Sequence, residues 1–141
     1  MTFSGPFFKQ GRNAKSRKKD KRIEDDYRAW IAPFALCVKC LAPAVDLCHV
    51  RPHGQGYMKP EPEKTVPMCR SCHTAQEVDR EFFAPLSVDE VHKLSKPIFN
   101  AWAIAQDADL WLSLVHDLHM RLDPVDYGLG DVMGAAMMGD V

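Results

Sequence analysis

The spacing of apolar positions changes several times along the chain, and each change marks an element. From Ile23, the residues Ile23, Tyr27, Trp30, Ile31 and Phe34 recur at the spacing of one helical face. Glu24, Asp25 and Asp26 then stand near the start of that helix, where its dipole favours negative charge, and Pro33 limits its end. The stretch "AVDLCHV" (44–50) alternates loosely instead and reads as a strand, stopped by Pro52 and Gly54. Three prolines and two glycines between 51 and 63 require a loop. "KTVPMC" (64–69) reads as a second strand, short because Pro67 cannot donate a ladder hydrogen bond.

Prolines and glycines then stop, and "RSCHTAQEVDREFF" (70–83) reads as a helix. Ser87, with Glu90 three residues on, makes a capping box for "SVDEVHKLSK". After Pro97, the residues Phe99, Trp102, Ile104 and Ala105, then Leu110, Leu114 and Leu118, form helical stripes with a break at Asp107–Asp109. Residues 124–141 hold four glycines and a Met-rich end and predict a disordered tail. The expected fold class is α+β. A flexible arm (1–22) precedes a loop-rich module (23–84), a helical extension (85–123) and the tail (124–141).

Charge alters this picture at the two ends. The net charge of −1 conceals +7 in residues 1–22 and −8 in residues 74–141. Lys15, Arg17, Lys18, Lys19, Lys21 and Arg22 can follow a phosphate backbone through sequence-independent contacts that salt weakens. DNA is therefore the expected partner, against the plainer reading of a solvated terminus. The acidic C-terminal helices are expected to keep off DNA and to pack across the module or mediate homo- or hetero-assembly.

No apolar run approaches the roughly 20 residues of a membrane span. The start of the chain places its basic run after its apolar residues and lacks a signal-peptide core. A soluble, cytoplasmic protein without membrane contact is expected. Five cysteines in a reducing compartment point to metal or chemistry rather than disulfides.

Cys37-x-x-Cys40 and Cys69-x-x-Cys72 form two pairs with 28 residues between them. Two such knuckles can converge on one structural Zn²⁺, replacing the core that a short loop-rich segment cannot bury. A redox Cys-x-x-Cys normally sits in a βαβ context, which is missing here. His73 follows the second pair, and Glu77, four residues on, shares its helical face. Cys48 and His49 arrive on the preceding strand. Together these make a second candidate cluster, suited to a catalytic divalent ion such as Mg²⁺ with positions left for water. From spacing alone His49 stays open between a ligand, a base and a core residue. Cys48 stays open between a ligand and a small buried hydrophobe. His116, His119, Trp102 and Trp111 read as surface or core residues.

The motif "CVKC…LCHVRPHGQGYMKP…VPMCRSCHTAQE" resembles the HNH endonucleases of the ββα-metal class. The likeness is to their zinc-stapled, phage-associated type, which includes recombination-enhancing nucleases. It spans residues 27–83, about two-fifths of the chain. The resemblance implies a small zinc-stapled ββα-metal module with a leading helix and C-terminal helices, acting as a metal-dependent DNA endonuclease in a bacterial host cell. It implies His49 as general base, His73 as metal ligand, position 77 as the helix's second ligand, and position 48 beside the metal. Arg51, two residues after His49, would grip the phosphate, with Lys59 brought close by the Gly54–Gly56 loop. Three positions depart from the family pattern. Cys48 is a soft ligand, Glu77 stands where many relatives have His, and the motif's Asn is missing from "EPEKTVPMC". A zinc-stabilised DNA-binding or recombination accessory module that has lost cleavage is the alternative.

Overall fold

Two short strands, pinned between helices on either face, organise the molecule. The computed structural model describes residues 14–51 and 61–122. The expected arm before residue 14, the loop from 52 to 60 with Lys59, and the tail after 122 lie outside the described residues.

Helix α1 spans Ala14–Ile31. It begins nine residues before the start expected from apolar spacing, so residues 14–22 of the basic segment are helical. The reason is local. Ala, Lys and Arg are strong helix formers, and Asp25 bridges Lys21 at 2.9 Å and Arg28 at 3.4 Å along the outer face. Apolar periodicity misses such a stretch because nothing in it needs burying. Glu24–Asp26 therefore lie in mid-helix, not at its start. Tyr27 and Ile31 face the core, and Glu24 shares their stripe.

Strand β1 (Asp46–His49) pairs antiparallel with β2 (Thr65–Met68), in the register Asp46↔Met68, Leu47↔Pro67, Cys48↔Val66 and His49↔Thr65. Alternation sends Asp46 and Cys48 to one face, Leu47 and His49 to the other. All four β2 residues are buried, so this hairpin is enclosed despite its size.

Helix α2 runs from Arg70 to Gln76, capped at its start by the Cys69 sulfur. It ends well before Phe83, where the residue pattern would have carried it. Asp79 accepts the Glu81 N–H at 2.9 Å in a local turn, which competes with helix continuation. The turn also drops Phe82 into the core, beneath the buried Lys39 side chain, whose ammonium lies 4.7 Å from the Phe82 ring centre.

Helix α3 (Val88–Ala103) opens on the expected capping box, with Ser87 Oγ accepting from Glu90 N–H and the Glu90 carboxylate from Ser87 N–H. Pro97 lies inside it. Its missing N–H would have met the Lys93 carbonyl, and both residues are on the exposed side where water can serve that oxygen. Helix α4 (Ala108–Arg121) starts at the anticipated break, with Asp107 accepting the Leu110 N–H.

These C-terminal helices share one core with the hairpin. Tyr27, Val38, Leu47, Val66, Ile98, Trp111 and Leu118 belong to a single buried cluster. Trp111 Nε1–H donates to the Tyr27 hydroxyl at 2.8 Å, and Tyr27 stacks on Trp102 with ring centres 5.0 Å apart. Helix α3 also grips both anchors of the loop between the strands. His92 Nε2–H donates to Val50 O at 2.6 Å, and Ser95 Oγ–H to Glu63 O at 2.8 Å. No helix among the described residues is long and apolar enough to cross a membrane.

Candidate active site and metal centre

The two cysteine pairs meet at one end of the hairpin. The sulfurs of Cys37, Cys40, Cys69 and Cys72 all lie within 4.8 Å of one another. Four thiol ligands at this separation are the set a tetrahedral Zn²⁺ takes in structural sites. Among the described residues it is the one group of three or more such side chains close enough to hold an ion. The backbone is shaped to the sulfurs, since Lys39 N–H points at Cys37 Sγ and Cys72 N–H at Cys69 Sγ, each at 3.4 Å. Leu41 closes the first knuckle at φ 63°, a left-handed turn that costs a non-glycine residue free energy. Metal bonds at Cys37 and Cys40, just before that residue, would offset the cost.

The second cluster is arranged otherwise than spacing implied. His49 and His73 do not gather around one point with Glu77 in a ligand group; each is held by its own carboxylate on its own face of the hairpin. On the α1 face, His49 Nε2 lies 2.8 Å from Glu24 Oε2, and both side chains are only 13% exposed. On the α2 face, His73 Nδ1 lies 2.9 Å from Asp46 Oδ2. Arg70 completes that second group with a forked contact to Asp46, at 2.9 and 3.2 Å. Some burial acts to raise the Asp46 carboxyl, but hydrogen bonds from His73 and Arg70 outweigh it and hold the group below the usual carboxylate range.

An ionised carboxylate only accepts, so the ring nitrogen facing it carries the proton. The two imidazoles are thereby fixed in opposite senses. In the neutral form, His49 has its lone pair on Nδ1 and His73 has its lone pair on Nε2. A histidine whose Nδ1–H is held by a carboxylate is the usual form of a metal-ligating imidazole. His73 fits that role through Nε2, and Glu77, exposed at the end of α2, offers an oxygen donor nearby on the chain.

Cys48, on the same strand face as Asp46, is packed more deeply. The side chain is fully buried, and burial first, then the nearby Glu77 carboxylate, pushes its thiol up to about 12. Without a metal ion beside it, the side chain packs as a small hydrophobe. Arg51 lies close enough to Cys48 to act on it electrostatically, at the point where the described chain leaves β1.

Of the expected nucleic-acid contacts, Arg17, Lys18, Lys19, Lys21 and Arg22 lie exposed along α1, with Lys15 in its first turn. Lys21 spends part of its charge on Asp25. His116 is exposed, while His119 Nδ1–H donates to Val38 O at 3.1 Å and ties α4 to the first knuckle. Trp111 is fully buried and Trp102 partly so, both in the core. Sequence reading missed Glu24 and Asp46 as site residues. Asp46 had a usable signal, lying two residues before Cys48 on the same strand face. Glu24 had only its place in the Tyr27 stripe, an acidic residue on a face otherwise destined for burial. No family model, curated protein or solved structure matches the chain.

Proposed function

We propose that the chain is an HNH-type, metal-dependent endonuclease that hydrolyses DNA phosphodiester bonds on a Zn²⁺-stapled ββα module. One observation carries the reading: the knuckle before the hairpin and the helix after it are brought together at four cysteine sulfurs, and the hairpin between them carries His49 with its ring orientation set by a carboxylate. Phosphodiester hydrolysis needs a base for the attacking water, and a neutral imidazole with one lone pair held in place is suited to it.

His49 is the base in this reading. Arg51 binds the scissile phosphate through its planar fork. His73, through Nε2, and Glu77 would hold a divalent ion, with Asp46 orienting His73 and Cys48 taking no part. When bound, that ion would polarise the phosphate and stabilise the leaving oxygen. The basic outer face of α1 supplies sequence-independent grip on the DNA backbone. The soft, fully buried Cys48 and the carboxylate at position 77 favour a second reading, a zinc-stabilised DNA-binding accessory module without cleavage.

Plasmid nicking with Mg²⁺, Mn²⁺ or Ni²⁺ separates the two. The wild-type chain nicks, and His49→Ala lowers the rate by about 10²- to 10⁴-fold, as loss of a general base does. If every metal leaves the plasmid intact while a salt-sensitive gel shift persists, the nuclease reading fails and the accessory module stands.

A further inference from the structure

We infer that Glu24 is the positioning residue of the His49 base, and that it fixes Nδ1, not Nε2, as the atom that accepts the water proton. The inference rests on the nuclease reading and adds to it a residue that no part of the motif contains.

Glu24 lies 25 residues before His49 in the chain, yet its Oε2 is 2.8 Å from His49 Nε2. A solvent-exposed ion pair of long side chains would carry little meaning. This pair is different, since each side chain is only 13% exposed. A carboxylate on a buried helical stripe costs desolvation free energy unless it is hydrogen-bonded, and His49 is the partner that satisfies it. Its neighbours on α1 are held firmly. Tyr27, one turn on, is fully buried and receives the Trp111 Nε1–H bond, and Ile31, two turns on, is 3% exposed. The carboxylate is thus carried on a helix whose rotation about its axis is fixed by core packing.

The chemistry follows from the donor inventory. Glu24 can only accept while ionised, so Nε2 carries hydrogen and Nδ1 carries the lone pair. As the base takes a proton on Nδ1 it becomes imidazolium, and the Glu24 charge stabilises that cation without itself being protonated. The same helix bears Lys18 and Arg22, exposed and turned away from the Glu24–Ile31 stripe. One rigid element therefore both meets the phosphate backbone and orients the base. Its two faces predict different kinetic signatures: outer-face cations govern KM, and Glu24 governs kcat.

The test uses the zinc-loaded chain, a duplex DNA substrate, and the variants Glu24→Gln, Glu24→Asp and Lys18→Ala. Glu24→Gln keeps the side-chain shape, removes the charge, and offers an amide N–H that can donate to Nε2. It should lower kcat about tenfold to hundredfold, the loss typical when a ring-orienting partner is removed, with KM changed less than about twofold. Glu24→Asp should recover part of kcat, and Lys18→Ala should raise KM with kcat unchanged. In ¹⁵N-resolved imidazole spectra the wild type should show His49 protonated on Nε2, and Glu24→Gln should shift it toward the Nδ1–H form. A wild type that cleaves through His49, with Glu24→Gln equal to it in kcat and in tautomer, overturns the positioning role and leaves the nuclease reading intact. A wild type that does not cleave at all overturns both.

Discussion

The two faces of the hairpin hold similar pairs by different means. On the α1 face, Glu24 and His49 meet in a nearly dry setting supported by Tyr27, Trp102 and Trp111. On the α2 face, Asp46 and His73 meet where half of the support is solvent-exposed, since the Arg70 side chain is 76% exposed. What anchors α2 is not apolar packing but the sulfur cluster beneath it: Cys72 is the one buried residue of that seven-residue helix. A helix this short cannot bury enough area to hold itself in place, and a metal ion held by the four sulfurs would substitute for core. The longer α1 needs no such aid. One strand presents its alternating side chains to two elements, one held mainly by apolar packing and one leaning on the sulfur cluster.

Removing the metal should break this comparison most visibly. Structural zinc contributes on the order of 10 kcal/mol to small metal-folded segments. Chelation, or Cys69→Ala, should abolish amide protection across α2 and the knuckles while α3 and α4 keep theirs. Hydrogen exchange read by mass spectrometry checks it. Simultaneous loss of protection in all helices would mean that the two faces are not independently supported.

A smaller effect should come from the opposite side. Trp111→Ala removes a fully buried ring and its bond to Tyr27, at a cost of about 3–5 kcal/mol. Denaturant unfolding should show that loss while the variant still binds one zinc per chain. Reduced zinc stoichiometry in the folded variant would show that the aromatic core also holds the sulfur cluster.

Asp46→Asn sharpens the comparison at the level of a single bond. The Asp46 carboxyl is depressed in the folded chain, so its contribution is fully present above the unfolded value of about 3.9 and is lost as pH falls through the lower folded value. With so exposed a partner as Arg70, the variant should be less stable at neutral pH by no more than about 1 kcal/mol. It should match the wild type once both are acidified below that window. Thermal unfolding across pH 2–7 reads the difference, and a gap that persists in acid would place the loss in packing instead of charge.

Local features of the site were readable from residues alone. Paired Cys-x-x-Cys spacing, the Ser87 capping box, the break at Asp107 and the two strands all appear where pattern placed them. Each depends on geometry within one element or on ligand chemistry, and both are written in short-range spacing. The start of α1 escaped because a solvated helix of Ala, Lys and Arg has no apolar period to detect. The end of α2 escaped because Asp79 and the burial of Phe82 decide it, and the latter depends on Lys39, 43 residues away.

The sequence by itself determined which groups are present, the four thiols, two imidazoles and their strand and helix addresses. Only the tertiary structure decided their partners. That His49 faces Glu24, that His73 faces Asp46, and that Cys48 is shut away from solvent depends on how each helix is rotated and set against the sheet. Rotation is fixed by packing over the whole core, from Tyr27 to Leu118, and not by the spacing of residues within any one element.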